Sequence, residues 1–253
     1  MLKLSGVIIT FNEERNIERC LESLVPVVDE IVVIDSHSTD STKSICEKFD
    51  VRFIEQEFLG YIEQKNFALD QVKYNHVVSL DGDEALSEEL QKSLLNLKST
   101  WEFDGYYAKR FNNFCGQWIK HSDWYPNKKL RVFDKTKAEW RGINPHDNVQ
   151  LLDTKSKVGY LKGDILHWTY QTYEEMDQKS EYFSTIAAEA YYSKGKGASA
   201  LNIIWNPTWA FFKAYILRLG FLDGKNGFRI CYQTWKITYL KYKKLRQLYK
   251  NKT

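Results

Sequence analysis

The chain has 253 residues, 43% hydrophobic and 27% charged, which is enough apolar material for a packed core and excludes a disordered or fibrous chain. Its formal charge of +3 hides an asymmetry: residues 211–253 hold eleven Lys or Arg against one acid, Asp223 (+10), while the other 25 basic and 32 acidic residues balance at −7. No signal peptide is expected, since Asn12, Glu13, Glu14 and Arg15 follow the first apolar run at once, and no stretch of about 20 apolar residues offers a membrane span. Cys20, Cys46, Cys115 and Cys231 sit at no metal or redox spacing, so reduced thiols in a cytosolic protein are expected.

Residues 4–10 (LSGVIIT) form an apolar, β-branched run and predict a first strand. Asn12, Glu13 and Glu14 then open a helix, with acids in the first turn where the helix dipole favours them. Ile17, Leu21 and Leu24 continue it at helical spacing until Pro26 and Asp29. Residues 30–34 (EIVVI) are a second buried strand, followed by a polar loop over residues 35–42 and a helix face of Ile45, Cys46 and Phe49. A third strand is expected over residues 51–55, a helix over 61–72 and a fourth strand over 76–80. Strands alternating with helices of about ten residues imply a parallel, Rossmann-like sheet.

Beyond Leu97 the pattern loosens. Short strands are expected at residues 105–110, 130–133, 158–161 and 165–168, with loops between them. An amphipathic helix over residues 176–192 presents Met176, Phe183, Ile186, Ala187 and Ala190 on one face and ends at Gly195 and Gly197. From Leu201 the chain is helical, aromatic and basic. Pro207 is expected to open one helix, with Trp209, Phe212, Tyr215, Ile216 and Leu219 on one face, and a second runs over about residues 228–249. There is no internal repeat.

The chemistry concentrates at the C-terminal ends of the first four strands. Each delivers polar residues: Thr10, Asn12 and Glu13; Asp35 and Ser36; Glu55 and Gln56; Asp81, Gly82, Asp83 and Glu84. In a parallel sheet these ends share one edge, where ligands bind. Three carboxylates around one glycine suit a hard divalent cation, and the cation suits a diphosphate. No G-x-S-x-G, G-x-x-x-x-G-K or G-x-G-x-x-G motif supports a hydrolase, P-loop or NAD reading.

The ordered set resembles the family-2 glycosyltransferases with the GT-A fold. It comprises Thr10-Phe11-Asn12-Glu13, then Val33 to Thr42 (VIDSHSTDST), Gln64-Lys65-Asn66 and Asp81-Gly82-Asp83-Glu84. Trp124-Tyr125-Pro126, Leu130 to Phe133, Pro145-His146-Asp147 and His167 to Tyr170 are similar to the branch that adds glucose to the lipooligosaccharide inner core. The resemblance covers roughly residues 1–195. It implies a mostly parallel α/β sheet flanked by helices and inverting transfer from a UDP-sugar, glucose expected, to a lipid-linked glycan. Residues 1–200 would form the catalytic domain, with residues 1–100 binding the nucleotide-sugar and residues 101–200 serving acceptor and metal.

By this resemblance Asp83 is the first metal ligand and Asp81 a supporting one, acting through the ribose or a metal-bound water. His167 is the third protein ligand, for Mn²⁺ or Mg²⁺, with His121 and His146 as alternatives. Gly82 lets the backbone approach the ligand. Asp147 is the general base, matching the carboxylate of the family's His-Glu pair in a shorter form; Asp123 and Glu84 are alternatives. Thr10, Asn12, Glu13 and Asp35 are expected at the uridine, and Lys65 at the base or diphosphate. Arg131 meets the phosphates or an anionic acceptor, or else faces outward from its strand. His37 and His76 are expected to be structural.

Residues 201–253 are expected to be a helical, basic tail lying on the cytoplasmic face of the inner membrane, aromatic side chains inward and lysines flanking, with no nucleic acid as partner. Two other classes stay open on the residues alone: a sugar-phosphate nucleotidyltransferase, which shares a related sheet and acidic site, and a non-catalytic scaffold that docks through its tail.

Overall fold

The structure, a computed structural model, describes residues 1–143 and 146–251, with the backbone alone at His146. Contacts divide it into two compact units, residues 1–110 with 127–168, and residues 111–126 with 169–253. This division falls elsewhere than the boundary near residue 200 suggested by the composition.

The first unit is built on a sheet. Strands β1 (Leu4–Thr10), β2 (Glu30–Asp35), β3 (Arg52–Glu55) and β4 (His76–Asp81) are parallel, in the order β3-β2-β1-β4. Their register places Thr10 beside Asp35, Asp35 beside Glu55 and Ile9 beside Asp81, so the polar strand ends do share one edge. The strands read as unbroken apolar runs because both faces are covered. Ile8, Val78 and Leu80 pack with Leu21 and Leu24 of α1 (Ile17–Leu24), while Val7, Ile9 and Ile34 pack with Ala68 and Leu69 of α3 (Tyr61–Gln71). A short α2 (Thr42–Cys46) links β2 to β3.

The sheet continues beyond β4. It runs through β8 (Asn127–Asp134), β6 (Gly105–Phe114) and β11 (Val158–Tyr170) to β5 (Glu84–Leu86), with β7 (Gln117–Trp118) on β6. This mixed sheet with flanking helices is the expected α/β architecture. Strand β5 follows the acidic turn directly and pairs antiparallel with β11. Strand β11 is one strand of 13 residues rather than two short ones. Gly163 carries it past α4 (Glu88–Thr100) at φ +89°, where a Cβ would lie 2.2 Å from Leu90 N. A glycine that looks like a turn is therefore a close approach of two backbones. A separate hairpin, β9 (Ala138–Ile143) with β10 (His146–Leu151), adds Trp140 and Val149 to the core.

The second unit is mainly helical, with α5 (Tyr173–Ser193), α6 (Ala200–Phe212) and α7 (Gly224–Lys250). Phe114, Ile119, Met176 and Ile230 form its core. Asp177 of α5 pairs with Arg229 and Lys236, and Glu181 with Lys244, so part of the basic character of α7 is spent on α5. Ser199 caps α6 reciprocally with Asn202, so Pro207 lies inside that helix, buried, and does not open it. The four cysteines are free thiols. Burial pushes Cys46 and Cys231 up to about 12, as expected of inert thiols.

Asp29 joins three elements of the first unit. Its oxygens take Lys3 at 2.7 Å, Lys98 at 2.7 Å and the Leu4 N–H at 3.0 Å. Burial disfavours its charge, but these donors outweigh burial and hold the carboxyl down to about 2. The folded pKa lies below the unfolded value of about 3.9, so the stabilisation is present above pH ~4 and is lost as pH falls through about 2. Allowing for the exposure of Lys3, Asp29→Asn should lower the unfolding free energy at pH 7 by about 1–2 kcal/mol. The gap should narrow as pH falls from about 4 toward 2. Urea unfolding at the two ends of that range measures it, and equal stability at pH 7 would contradict it.

Candidate active site

The shared edge is built by loops tied to one another. Asn12, at φ 53°, donates its N–H to Ser38 Oγ, and its side-chain oxygen accepts from Thr39 N at 2.8 Å. The Glu13 N–H donates to Thr42 Oγ1, and the Glu13 carboxylate accepts from Asn16. Asp35 is buried and accepts from Ser38 N at 2.7 Å and Ser38 Oγ at 2.5 Å. Thr10 is buried at the end of β1. The acidic turn crosses directly over it: Gly82 N donates to Ile9 O, and a Cβ on Gly82 would lie 2.9 Å from Thr10 Oγ1. A side chain at position 82 would press on Thr10 and Glu13, so the close approach here is between two protein segments.

Asp81 and Asp83 leave this turn in different company. Asp81 ends β4 beside β8, and its carboxylate meets Arg131 Nη2 at 2.8 Å and Lys65 Nζ at 2.9 Å. Burial alone would push the Asp81 carboxyl up; the Arg131 and Lys65 cations outweigh it and hold the carboxyl far below the usual carboxylate range. Lys65 also reaches Asp147 Oδ2 at 2.8 Å, so one buried ammonium bridges Asp81 and Asp147. Trp140 lies under both cations, its ring centroid 4.3 Å from Lys65 Nζ and 5.1 Å from the Arg131 guanidinium carbon. Arg131 is 4% exposed, so it faces inward and not out of its strand.

Asp83 lies beyond Gly82 and faces β11. Its Oδ2 is 3.3 Å from His167 Nε2, and its carbonyl accepts from Trp168 N at 3.0 Å. The Trp168 ring carries Arg19 4.2 Å from its centroid. The expected trio of Asp81, Asp83 and His167 is thus not assembled as one cluster: Asp81 is held by two cations, and among the described residues no group of three or more His, Cys, Asp or Glu forms a metal cage. Asp83 with His167 is a carboxylate-imidazole pair. Two such donors fit a divalent cation that takes its remaining ligands from water and substrate phosphates.

The alternative bases are engaged elsewhere. Glu84 is fully buried and pairs with Arg131 at 3.2 Å and Arg110 at 3.4 Å. Asp123, in the second unit, pairs with Arg218 at 3.0 Å. His121, also in the second unit, pairs through Nδ1 with Asp223 Oδ1 at 3.0 Å. Pro145 and the His146 side chain lie outside the described residues. His76 packs against Trp101, consistent with a structural role. Sequence reasoning missed Arg110 and Trp140. Neither stands at a recognisable spacing from Glu84 or Lys65; only the strand order brings them in.

Residues 5–151, more than half of the chain, match Glycosyl transferase family 2. An uncharacterized glycosyltransferase of Rickettsia bellii (strain RML369-C) is 32% identical over 238 residues, 89% of this chain and 80% of the relative. The lipopolysaccharide core biosynthesis glycosyltransferase LpsC of Rhizobium meliloti (strain 1021) is 28% identical over 240 residues, 90% of this chain and 86% of LpsC. In fold, the chain is similar to S. aureus TarS 1–349 crystallised with UDP, at a TM-score of 0.51 and 17% identity over 100% of this chain and 92% of that one. The chain belongs to glycosyl transferase family 2.

Proposed function

We propose that this glycosyltransferase moves a sugar, with glucose as the expected one, from a UDP-sugar to a hydroxyl of a lipid-linked glycan, with inversion. The observation that carries the reading is the pairing of Asp83 with His167 at 3.3 Å, two residues past Asp81, whose carboxylate holds the buried cations Lys65 and Arg131. A parallel-sheet edge is where a nucleotide binds, and a diphosphate needs positive charge. TarS has been crystallised with UDP and with UDP-GlcNAc, and LpsC is named for lipopolysaccharide core synthesis; both support the donor and acceptor classes assigned here.

In this reading Thr10, Asn12, Glu13 and Asp35 hold the uridine. Asp83 and His167 hold a divalent cation, Mn²⁺ or Mg²⁺, which when bound supplies charge neutralisation to the diphosphate leaving group. Asp81 serves chiefly as the counter-ion that fixes Lys65 and Arg131, and Gly82 lets the acidic turn pack closely over Thr10 and Glu13. Asp147 is the base. Lys65 holds one of its oxygens, which orients the other toward the acceptor. The acceptor oxygen bonds to the anomeric carbon as the bond from that carbon to the diphosphate oxygen breaks. The proton passes to Asp147, and attack from the opposite face inverts the centre.

The acceptor class also gives a purpose to α6. Leu201, Ile204, Trp205, Trp209 and Phe212 recur at helical spacing and are exposed, Trp205 at 67%. No helix of the described residues is long and apolar enough to cross a membrane. An exposed apolar stripe that leads into the +10 segment of residues 211–253 fits the surface of an anionic bilayer, here the cytoplasmic face of the inner membrane.

Two outcomes test this. Asp83→Asn should lower sugar transfer by about 100-fold or more while leaving the thermal midpoint within a few degrees. Full turnover by that variant would remove the cation role. The wild type should co-sediment with phosphatidylglycerol-containing vesicles, and the double variant Trp205→Glu, Trp209→Glu should lose about tenfold or more of that binding while keeping activity on a soluble acceptor. Equal sedimentation would contradict the docking face.

A further inference from the structure

Glu84 has no part in the chemistry assigned above, yet its side chain meets three groups around the acidic turn. Its Oε2 accepts from the Asp81 N–H at 3.1 Å, closing the acidic turn on itself. Its Oε1 takes Arg131 at 3.2 Å and Arg110 at 3.4 Å. Its backbone lies opposite His167 in the antiparallel pairing of β5 and β11. It is also fully buried. One residue therefore meets the end of β4 and Arg131 through its side chain, and His167 through the backbone pairing of β5 with β11.

The charges around it show why a carboxylate is required. Arg131, Arg110 and Lys129 crowd the same side: burial lowers the Lys129 pKa, and repulsion from Arg110 and Arg131 lowers it further, with Glu84 and Asp147 opposing. Without an anion at position 84, Arg131 would be left with Asp81 as its one acidic ion-pair partner among the described residues. A buried cation left short of charge rearranges, and Asp81 sits at the hinge of the turn.

We propose that Glu84 is a positioning residue of the donor site: through the Asp81 N–H and Arg131 it sets the turn that presents Gly82 and Asp83 to the nucleotide diphosphate. The inference rests on the donor-site reading above, and the experiment separates the two. UDP binding is measured by calorimetry, with and without Mn²⁺, for the wild type, Glu84→Gln and Glu84→Asp. Glu84→Gln keeps the shape and removes the charge; Glu84→Asp keeps the charge and shortens the reach to the Asp81 N–H. Both should weaken the UDP Kd, Glu84→Gln by about 10- to 100-fold and Glu84→Asp by less, at unchanged binding stoichiometry.

A residue that only stabilises the fold would act differently. Fewer molecules would bind, so stoichiometry would fall while Kd stayed at the wild-type value, and that result would overturn the proposal. If Glu84→Gln does not fold, Glu84→Asp decides alone, and a wild-type Kd for it overturns the proposal. Arg131→Gln combined with Glu84→Gln should weaken binding by less than the product of the two single effects, since both act through Asp81; a full product would count against it. Absence of UDP binding by the wild type would instead defeat the donor-site reading.

Discussion

A carboxylate at the end of a buried strand must find compensating charge, and Asp81 finds it in Arg131 and Lys65. That requirement organises the first unit. Arg131 comes from β8, Lys65 from α3, and Asp147, which shares Lys65, from β10. Glu84 and Arg110 extend the same network into β5 and β6. Removing one member of such a buried set leaves an uncompensated charge, which is why its elements depend on one another. The apolar clusters on the two sheet faces provide bulk stability, but they do not specify where the strand ends lie relative to one another.

The network also divides labour between two carboxylates that the sequence presents as a pair. Asp81 is turned toward fixed cations of the protein, whereas Asp83 is turned toward His167. The first arrangement is already electrically satisfied. The second joins a carboxylate and an imidazole, two donors of different softness. Under the proposed function this asymmetry suits a donor site: Asp81 holds positive charge in place, and Asp83 with His167 could share a cation with a diphosphate.

Much of the edge was readable from residues alone. The apolar runs ending in Thr10, Asp35, Glu55 and Asp81 predicted parallel strands and their common edge, because a buried strand has a strong signal and a polar end has an obvious place. The pairing of Asp83 with His167 followed the order of the family motifs. What was illegible is the long-range part. Strand β5 is too short to show a period, and its pairing with β11 depends on chain more than 75 residues away. The Asn144-Pro145 dipeptide is a turn signal in the sequence but does not fix the register of the hairpin carrying Trp140. Gly163 reads as a turn and serves as a point of contact. The roles of Glu84 and Arg110 could not be read, since a buried ion pair between distant strands leaves no mark in local spacing. The basic C-terminal segment read as free charge, yet Arg229, Lys236 and Lys244 pair with α5.

Under the proposed function the edge around Asp83 activates a UDP-sugar for transfer. The most direct measurement offers the protein a panel of UDP-sugars with Mn²⁺ or Mg²⁺ and a glycan acceptor, follows the released nucleotide, and determines the anomeric configuration of the product by NMR. The account predicts UDP release with a preferred sugar and a glycoside inverted relative to the donor. Release of pyrophosphate with no glycoside formed, or no UDP from any donor, would contradict it.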